Sequence, residues 1–233
     1  MTRLLRSALS PSAEISRADT SLRYTDILFG FVIKELFVRL QNWGILQPAT
    51  KWHLIAGTVL VLGSWIGYRR SLNRSAYEVK FFNLPLWRFV TDQLMLILYF
   101  HVAVMTASDG TNPPSPTELA TQTVEFVALI FILYVIWDLL GIWMAVARSA
   151  PPNGHLPRYA KVDKDGNAVG AQDPDWAGLA ISGVALIVLV VLRARAAQLT
   201  PVALLVSTTL ALLGYRWVKE VRTSWRLMPR PVH

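Results

Sequence analysis

Within stretches otherwise built from Leu, Val, Ile, Ala and Phe, the chain holds a small set of ionisable side chains, and any chemistry would have to reside there. Lys34, Asp92 and Asp138 are the deepest. Counted from the ends of their stretches that share one side, they lie about ten, seven and ten residues in, or about 15, 10 and 15 Å along a helix. One lysine and two aspartates at matching depth can form a proton or cation relay, or a gate. They can equally be charge pairs that keep helices in register, a common way to tolerate an ionisable group where hydrocarbon would cost it at least about 2.5 kcal/mol. Asp26, Glu35 and Glu125 are the remaining acids of this kind, and none has a nucleophile paired with it. The sequence has no His-Glu-x-x-His motif, no Ser-centred nucleophile elbow and no acidic or His cluster at metal-ligand spacing. No catalytic residue and no metal ligand is expected, and the chain reads as a non-enzyme.

Two histidines enter the apolar stretches. His53 opens the second and His101 lies near the far end of the third, so antiparallel neighbours could bring them together as haem ligands. Their depths differ by about 5 Å, and hydrogen bonds to neighbouring groups account for both, so no cofactor is expected. Asp163, Asp165 and Asn167 have the alternate spacing of a calcium loop, but Gly166 sits two positions early for the turn and Pro174 replaces the bidentate Glu. A solvated loop is the reading there. With no cysteine in the chain, disulfides, thiolate catalysis and Cys-ligated metal sites are excluded.

The elements that position these residues are six stretches of membrane-spanning length, at 24–46, 52–68, 85–105, 123–147, 176–192 and 201–218; a bilayer core needs roughly 20 helical residues. Arg and Lys cluster at alternate connections. Arg3, Arg6, Arg17 and Arg23 precede the first stretch, and Arg69, Arg70, Arg74 and Lys80 follow the second. Arg148, Arg158, Lys161 and Lys164 follow the fourth, and Arg216, Lys219, Arg222, Arg226 and Arg230 follow or close the sixth. The positive-inside rule puts all four groups in the cytoplasm. Arg193 and Arg195 in the fifth connection are the one violation. The expectation is an all-α polytopic integral membrane protein with six transmembrane helices and both termini cytoplasmic: a basic tail at 1–23, a membrane domain at 24–218 with a cytoplasmic loop at 148–175, and a basic tail at 219–233.

Composition agrees. Hydrophobic residues make up 53% of the chain and charged ones 16%, too apolar for a soluble domain of this size. The net charge of +8 and pI near 10.0 sit beside helix ends, where anionic lipid explains them better than nucleic acid does. The first 20 residues are polar, and no cleavable signal peptide is expected. The 148–175 connection is rich in Pro, Gly and Asn, and 106–116 reads as an exposed turn. Trp43, Trp52, Trp87, Trp176 and Trp217 fall at stretch ends as an aromatic belt, while Trp65, Trp137 and Trp143 are deeper and expected between helices.

The first stretch is the unusual one. At 100° per residue Lys34, Glu35, Arg39 and Asn42 share one side, while Leu28, Phe29, Val32, Leu36 and Leu40 spread over the other. Such a helix cannot be wrapped in lipid; it lines a wet interior or lies in the interface. Arg23, Tyr24, Thr25 and Asp26, followed by Phe29, Ile33 and Leu36, resemble the opening of the first helix in the endosomal and lysosomal potassium channel family, whose bacterial members are six-helix chains of similar length. That family carries Phe-Ser-Asp after an upstream arginine, where this chain has Tyr24, Thr25 and Asp26. Val61, Leu62, Gly63, Trp65, Arg69 and Arg70, then Leu86 and Trp87, are similar in layout, so the resemblance covers about the first 105 residues. It implies a first helix that lines a pore with isoleucine-type side chains, with Ile33 in that place. The sequence departs at Lys34 and Glu35, where the family is uncharged, and a lysine ring at a narrow pore opposes cation passage. The upstream arginine is displaced as well, Arg17 fitting its spacing only roughly while Arg23 abuts Tyr24.

The expected function is a cation (potassium-like) channel or small ion transporter of a bacterial inner membrane. It would be a homo-oligomer passing monovalent cations, with Asp26, Phe29, Ile33, Lys34, Glu35, Asp92 and Asp138 as pore or polar-network residues. The alternative is a non-catalytic membrane subunit or scaffold that binds a partner protein through the first helix and the basic cytoplasmic ends.

Overall fold

The computed structural model describes residues 11–74, 84–105, 114–149, 161–162, 168–169 and 175–227. Six helices make up almost all of these: α1 (Pro11–Leu40), α2 (Pro48–Arg74), α3 (Leu84–Val104), α4 (Pro116–Ser149), α5 (Trp176–Ala194) and α6 (Pro201–Leu227). A two-residue antiparallel pairing of Lys161–Val162 with Ala168–Val169 is the only strand structure among them. The 1–10 tail, the 106–113 turn, most of the Pro-rich connection and the Asp163, Asp165, Asn167 spacing lie outside the described residues.

Each helix matches one expected stretch, and the chemistry of the ends explains the boundaries. Pro begins α1, α2, α4 and α6, where its missing N–H is no loss and its fixed φ suits the first turn. Asp175 caps α5, its Oδ1 accepting from the Gly178 amide at 2.9 Å. The helices run past the apolar stretches at the basic end: α1 starts at Pro11 instead of Tyr24, and α6 continues to Leu227 rather than stopping at Val218. Lys219 and Arg222, expected in the tail, are therefore helical residues that continue the bundle beyond Arg216.

Contacts between helices close a ring in the order α1, α2, α6, α5, α4, α3, with α2 packing across it onto α4. Cross-links show that successive helices alternate in direction. Thr25 meets Tyr68, Arg39 meets Ala103, and Glu125 meets Arg193. Phe29, Leu36, Leu54, Val61, Tyr99, Val102, Val127, Phe131 and Leu212 form the main core. Ala49, Ala120, Val124, Leu204 and Leu205 form a second cluster at the end opposite the basic one.

The outer wall is as apolar as the core. Ile97, Trp143, Ile187, Val191, Leu210 and Leu213 all face outward, with Ile97 and Ile187 each 63% exposed. Water would penalise such a wall, whereas hydrocarbon is indifferent to it. Three helices, over Pro116–Val146, Trp176–Ala194 and Pro201–Arg222, are long and apolar enough to cross a bilayer. Among the described residues the chain is helical but for that short pairing, and its three long apolar helices mark it as a membrane protein. Trp143, expected between helices, is 62% exposed on the outer wall: Ile142 and Met144, its neighbours in sequence, are the ones turned inward.

Candidate functional site

Inside the basic half of the bundle lies a cavity of about 370 Å³. Five helices build it: α1 through Thr25 and Phe29, α2 through Gly63, Ser64, Gly67 and Tyr68, α3 through Arg88, Asp92 and Tyr99, α4 through Tyr134, Trp137 and Asp138, and α6 through Tyr215, Arg216, Lys219 and Arg222. Asp175, at the start of α5, reaches it as well. Exposed Asp175 and half-buried Arg222 line its mouth at the basic end, and Tyr99 and Ser64 line its depth.

Hydroxyl groups form the deepest layer. The Ser64 Oγ donates to the Leu60 carbonyl at 2.5 Å, so it must accept from its other partners, the Tyr134 hydroxyl and the Arg216 Nη2 at 3.0 Å. Tyr134 in turn accepts from Tyr99 at 2.8 Å and from the Arg216 Nη2 at 3.4 Å. A carbonyl can only accept, which orients the whole series from Tyr99 through Tyr134 and Ser64 to Leu60.

Arg216 is seated by what α2 lacks. A Cβ on Gly63 would come within 2.6 Å of the Arg216 Nε, and one on Gly67 within 2.7 Å of its Nη1. The two glycines, four residues apart, leave one stripe of α2 bare and the guanidinium lies along it, flanked by the rings of Tyr215 (5.5 Å) and Tyr134 (6.0 Å). No carboxylate among the described residues comes within ion-pair distance of Arg216.

A second cluster stands beside it. Lys219 Nζ donates to the Tyr215 hydroxyl at 2.7 Å and to the Ser182 Oγ at 3.4 Å, and lies 3.6 Å from the Asp138 Oδ2, which also accepts from Ser182 at 2.6 Å. Arg222 pairs with Asp175, tying α6 to the cap of α5. On the opposite wall Arg88 lies 3.7 Å over the Trp137 ring and against Gly141, with Asp92 one turn further along α3. Between α1 and α2, Asp26 accepts from Trp65 Nε1 (2.9 Å) and from Arg69 Nη2 (2.6 Å). That carboxylate holds the Arg69 guanidinium above its already high ordinary value through their hydrogen bond.

Of the expected network, Asp92, Asp138 and Phe29 line this cavity, and Asp26 is not among its lining residues. Ile33 is half-buried against the core, off the cavity. Lys34 does not join the aspartates. It is exposed on the outer face of α1, because it is two residues, or 200°, from both Val32 and Leu36, whose stripe faces inward. The cations near the aspartates are Lys219 and Arg88 instead. Glu35 pairs with Arg39 at 3.6 Å, and the Arg39 Nε donates to the Ala103 carbonyl at 2.6 Å. Beside it His53, fully buried, has Nε2 2.9 Å from the Val102 carbonyl and Nδ1 2.7 Å from the Thr123 hydroxyl. Val102 can only accept, so Nε2 carries a proton, while the Thr123 hydroxyl beside Nδ1 also reaches the Leu119 carbonyl at 2.5 Å. Arg39 and His53 thus satisfy two of the carbonyls that α3 leaves orphaned at its C-terminus, which gives α1 a reason for its polar stripe other than a wet interior. Both His53 nitrogens are used within the protein, and His101 packs on Phe126 with ring centres 4.3 Å apart.

Sequence reasoning missed Arg88, Tyr99, Tyr134, Ser182 and Tyr215, and placed Arg216 and Lys219 among the flanking charges. The available signals were the Gly63-x-x-x-Gly67 spacing and the i, i+4 pairs Arg88/Asp92 and Tyr215/Lys219. The site belongs to a class that can be stated from geometry: a helical membrane bundle with a charged cavity reached from one end. Comparison with protein-family models, with curated proteins and with solved structures finds no match to this chain.

Proposed function

We propose that the chain is a small ion transporter of a bacterial inner membrane, in which all six helices cross the bilayer with both termini cytoplasmic and the cavity is the solute site, facing the cytoplasm. One observation carries this reading: ionisable side chains from α3, α4 and α6 converge on a space in the inner half of a bundle whose outer wall is apolar. A scaffold would fill that space with apolar side chains, since buried charges give weak stability for their desolvation cost, whereas intramembrane charges beside a cavity are the usual mark of a solute path. At the other end the Ala49, Val124 and Leu205 cluster and His53 close the bundle, so a solute enters from the basic side.

The second reading is a potassium-like channel formed when copies assemble around α1. It is favoured by Lys34 standing beside exposed Ile27, Phe31 and Phe37 on the outer face of that helix, where lipid is a poor partner for an ammonium. Flux from proteoliposomes under potassium, sodium or organic-anion gradients separates the two. The first reading expects flux that is lost in Arg88→Leu and kept in Lys34→Leu, and the channel reading expects potassium flux with the opposite dependence. No flux from homogeneous, folded protein sinks both and leaves the partner-binding subunit, for which co-purification from native membranes is the next measurement.

A further inference from the structure

We infer that the Gly63/Gly67 seat and Arg216 form a binding site for an organic anion, a carboxylate or phosphate group carried on an apolar body. The inference rests on the reading of the cavity as a solute site, and it names the solute's chemistry. Arg216 uses Nη2 for its hydrogen bonds to Ser64 and Tyr134. Its Nη1 and Nε have no acceptor among the described residues, and the side chain lines the cavity. A guanidinium offers its donors in a planar fork that fits the two oxygens of a carboxylate or phosphate.

The surroundings reinforce the sign. Arg216 also meets the hydroxyls of Ser64 and Tyr134 and the ring faces of Tyr134 and Tyr215, which ease its burial without neutralising it. Lys219 shares those rings: its Nζ lies 5.9 Å from the Tyr134 centre, against 6.0 Å for the Arg216 Cζ. Four carboxylates line the cavity: Asp138 is engaged with Lys219 and Asp175 with Arg222, while Asp92 on α3 and Glu220, one turn beyond Arg216 on α6, make no ion pair with that guanidinium. An arriving anion therefore meets one cation that no carboxylate among the described residues pairs with, and a second within reach. Phe29, Ile66, Met95, Leu96 and Ile142 supply the apolar part of the lining, and a volume of 370 Å³ admits a small organic molecule.

The seat also explains the glycines. Packing α2 against α6 does not require two glycines where Ala would favour the helix, but a guanidinium held against the backbone does. At Gly67 the conflicting atom is the tip of Arg216, so Gly67→Ala displaces the guanidinium with little strain on the fold. At Gly63 the conflict involves the Arg216 Nε, Cδ and Cγ, so the stem itself must move.

Calorimetry on the purified full-length protein in detergent tests this with hexanoate and dihexanoyl phosphatidic acid as probes and hexylammonium as the control. Saturable binding of an anionic probe is expected, weakened about tenfold or more in Arg216→Met and Gly67→Ala, partly retained in Arg216→Lys, and absent for hexylammonium. Hexanoate binding without phosphatidic acid binding assigns the site to a soluble acid; the reverse assigns it to a lipid headgroup. Gly67→Ala keeps the charge and the fold, so it stays informative if Arg216→Met does not fold. Absence of saturable binding of either anion, or binding unchanged in Gly67→Ala, overturns the inference. Binding is read without transport, so anion binding with no flux fails the transporter reading alone, and flux that is indifferent to Arg216→Lys and Gly67→Ala fails the anion site alone.

Discussion

Replacing Asp138 by Asn removes one charge and almost nothing else. The amide keeps an oxygen for the Ser182 hydroxyl, now 2.6 Å from Oδ2, but leaves the Lys219 ammonium, 3.6 Å away, without its carboxylate. At an effective dielectric of about 20, unit charges at that separation attract by about 4 to 5 kcal/mol. Stripping one partner from a buried pair costs about 3 to 5 kcal/mol. The side chains here are 11% exposed for Asp138 and 29% for Lys219, and Lys219 keeps its 2.7 Å bond to the Tyr215 hydroxyl. Both facts favour the lower bound, about 3 kcal/mol. For a chain of this size that is a fall in Tm of about 6 to 12 °C, measurable by tryptophan fluorescence in detergent. Lys219→Met and the double variant complete a cycle, with a coupling of about 1 to 3 kcal/mol expected between residues in direct contact. A coupling below about 0.5 kcal/mol would show that water, not Asp138, compensates Lys219, and the picture of charge pairs set around an uncompensated Arg216 would fail with it.

Three further outcomes are expected. His53→Leu takes the donor from the Val102 carbonyl and should cost about 1 to 3 kcal/mol, read as a lower Tm; an unchanged Tm would mean that α3 ends without help from its neighbours. Lys34→Leu should leave or raise thermal stability and leave flux untouched, because the side chain faces outward; a loss of potassium flux would restore the first helix as a pore wall. The absence of native cysteines makes single-cysteine labelling clean: Thr117→Cys and Gln198→Cys should react from the periplasmic side and Trp176→Cys from the cytoplasmic side, and any other pattern refutes the six-span topology.

The helices were legible because their length and polarity are set by one-dimensional physics. All six apolar stretches became helices, and the Pro and Asp residues at their starts mark where they begin. The candidate site was legible in height only. Depth along a helix follows from counting, and Asp92 and Asp138 both line the cavity. Azimuth does not follow from counting: Lys34 has the right depth on the wrong side, and only the packing of Phe29, Val32 and Leu36 decides that. Arg216 and Lys219 were hidden for a different reason. A basic residue near a stretch end satisfies the positive-inside rule whichever way it points, so the rule absorbed two residues that turn inward. The same rule marks Arg193 as an anomaly; in the fold it forms a 2.6 Å ion pair with Glu125 on the neighbouring helix.

The hydroxyl series beneath Arg216 has one more consequence. Tyr99, Tyr134 and Ser64 look like a wire along which a proton could hop toward the closed end, yet every donor is committed in one direction and the last acceptor is the Leu60 carbonyl. An amide oxygen inside a helix does not pass a proton onward, and reversing the series would leave that hydroxyl bond unmade. The series therefore ends inside the protein, at a helix carbonyl.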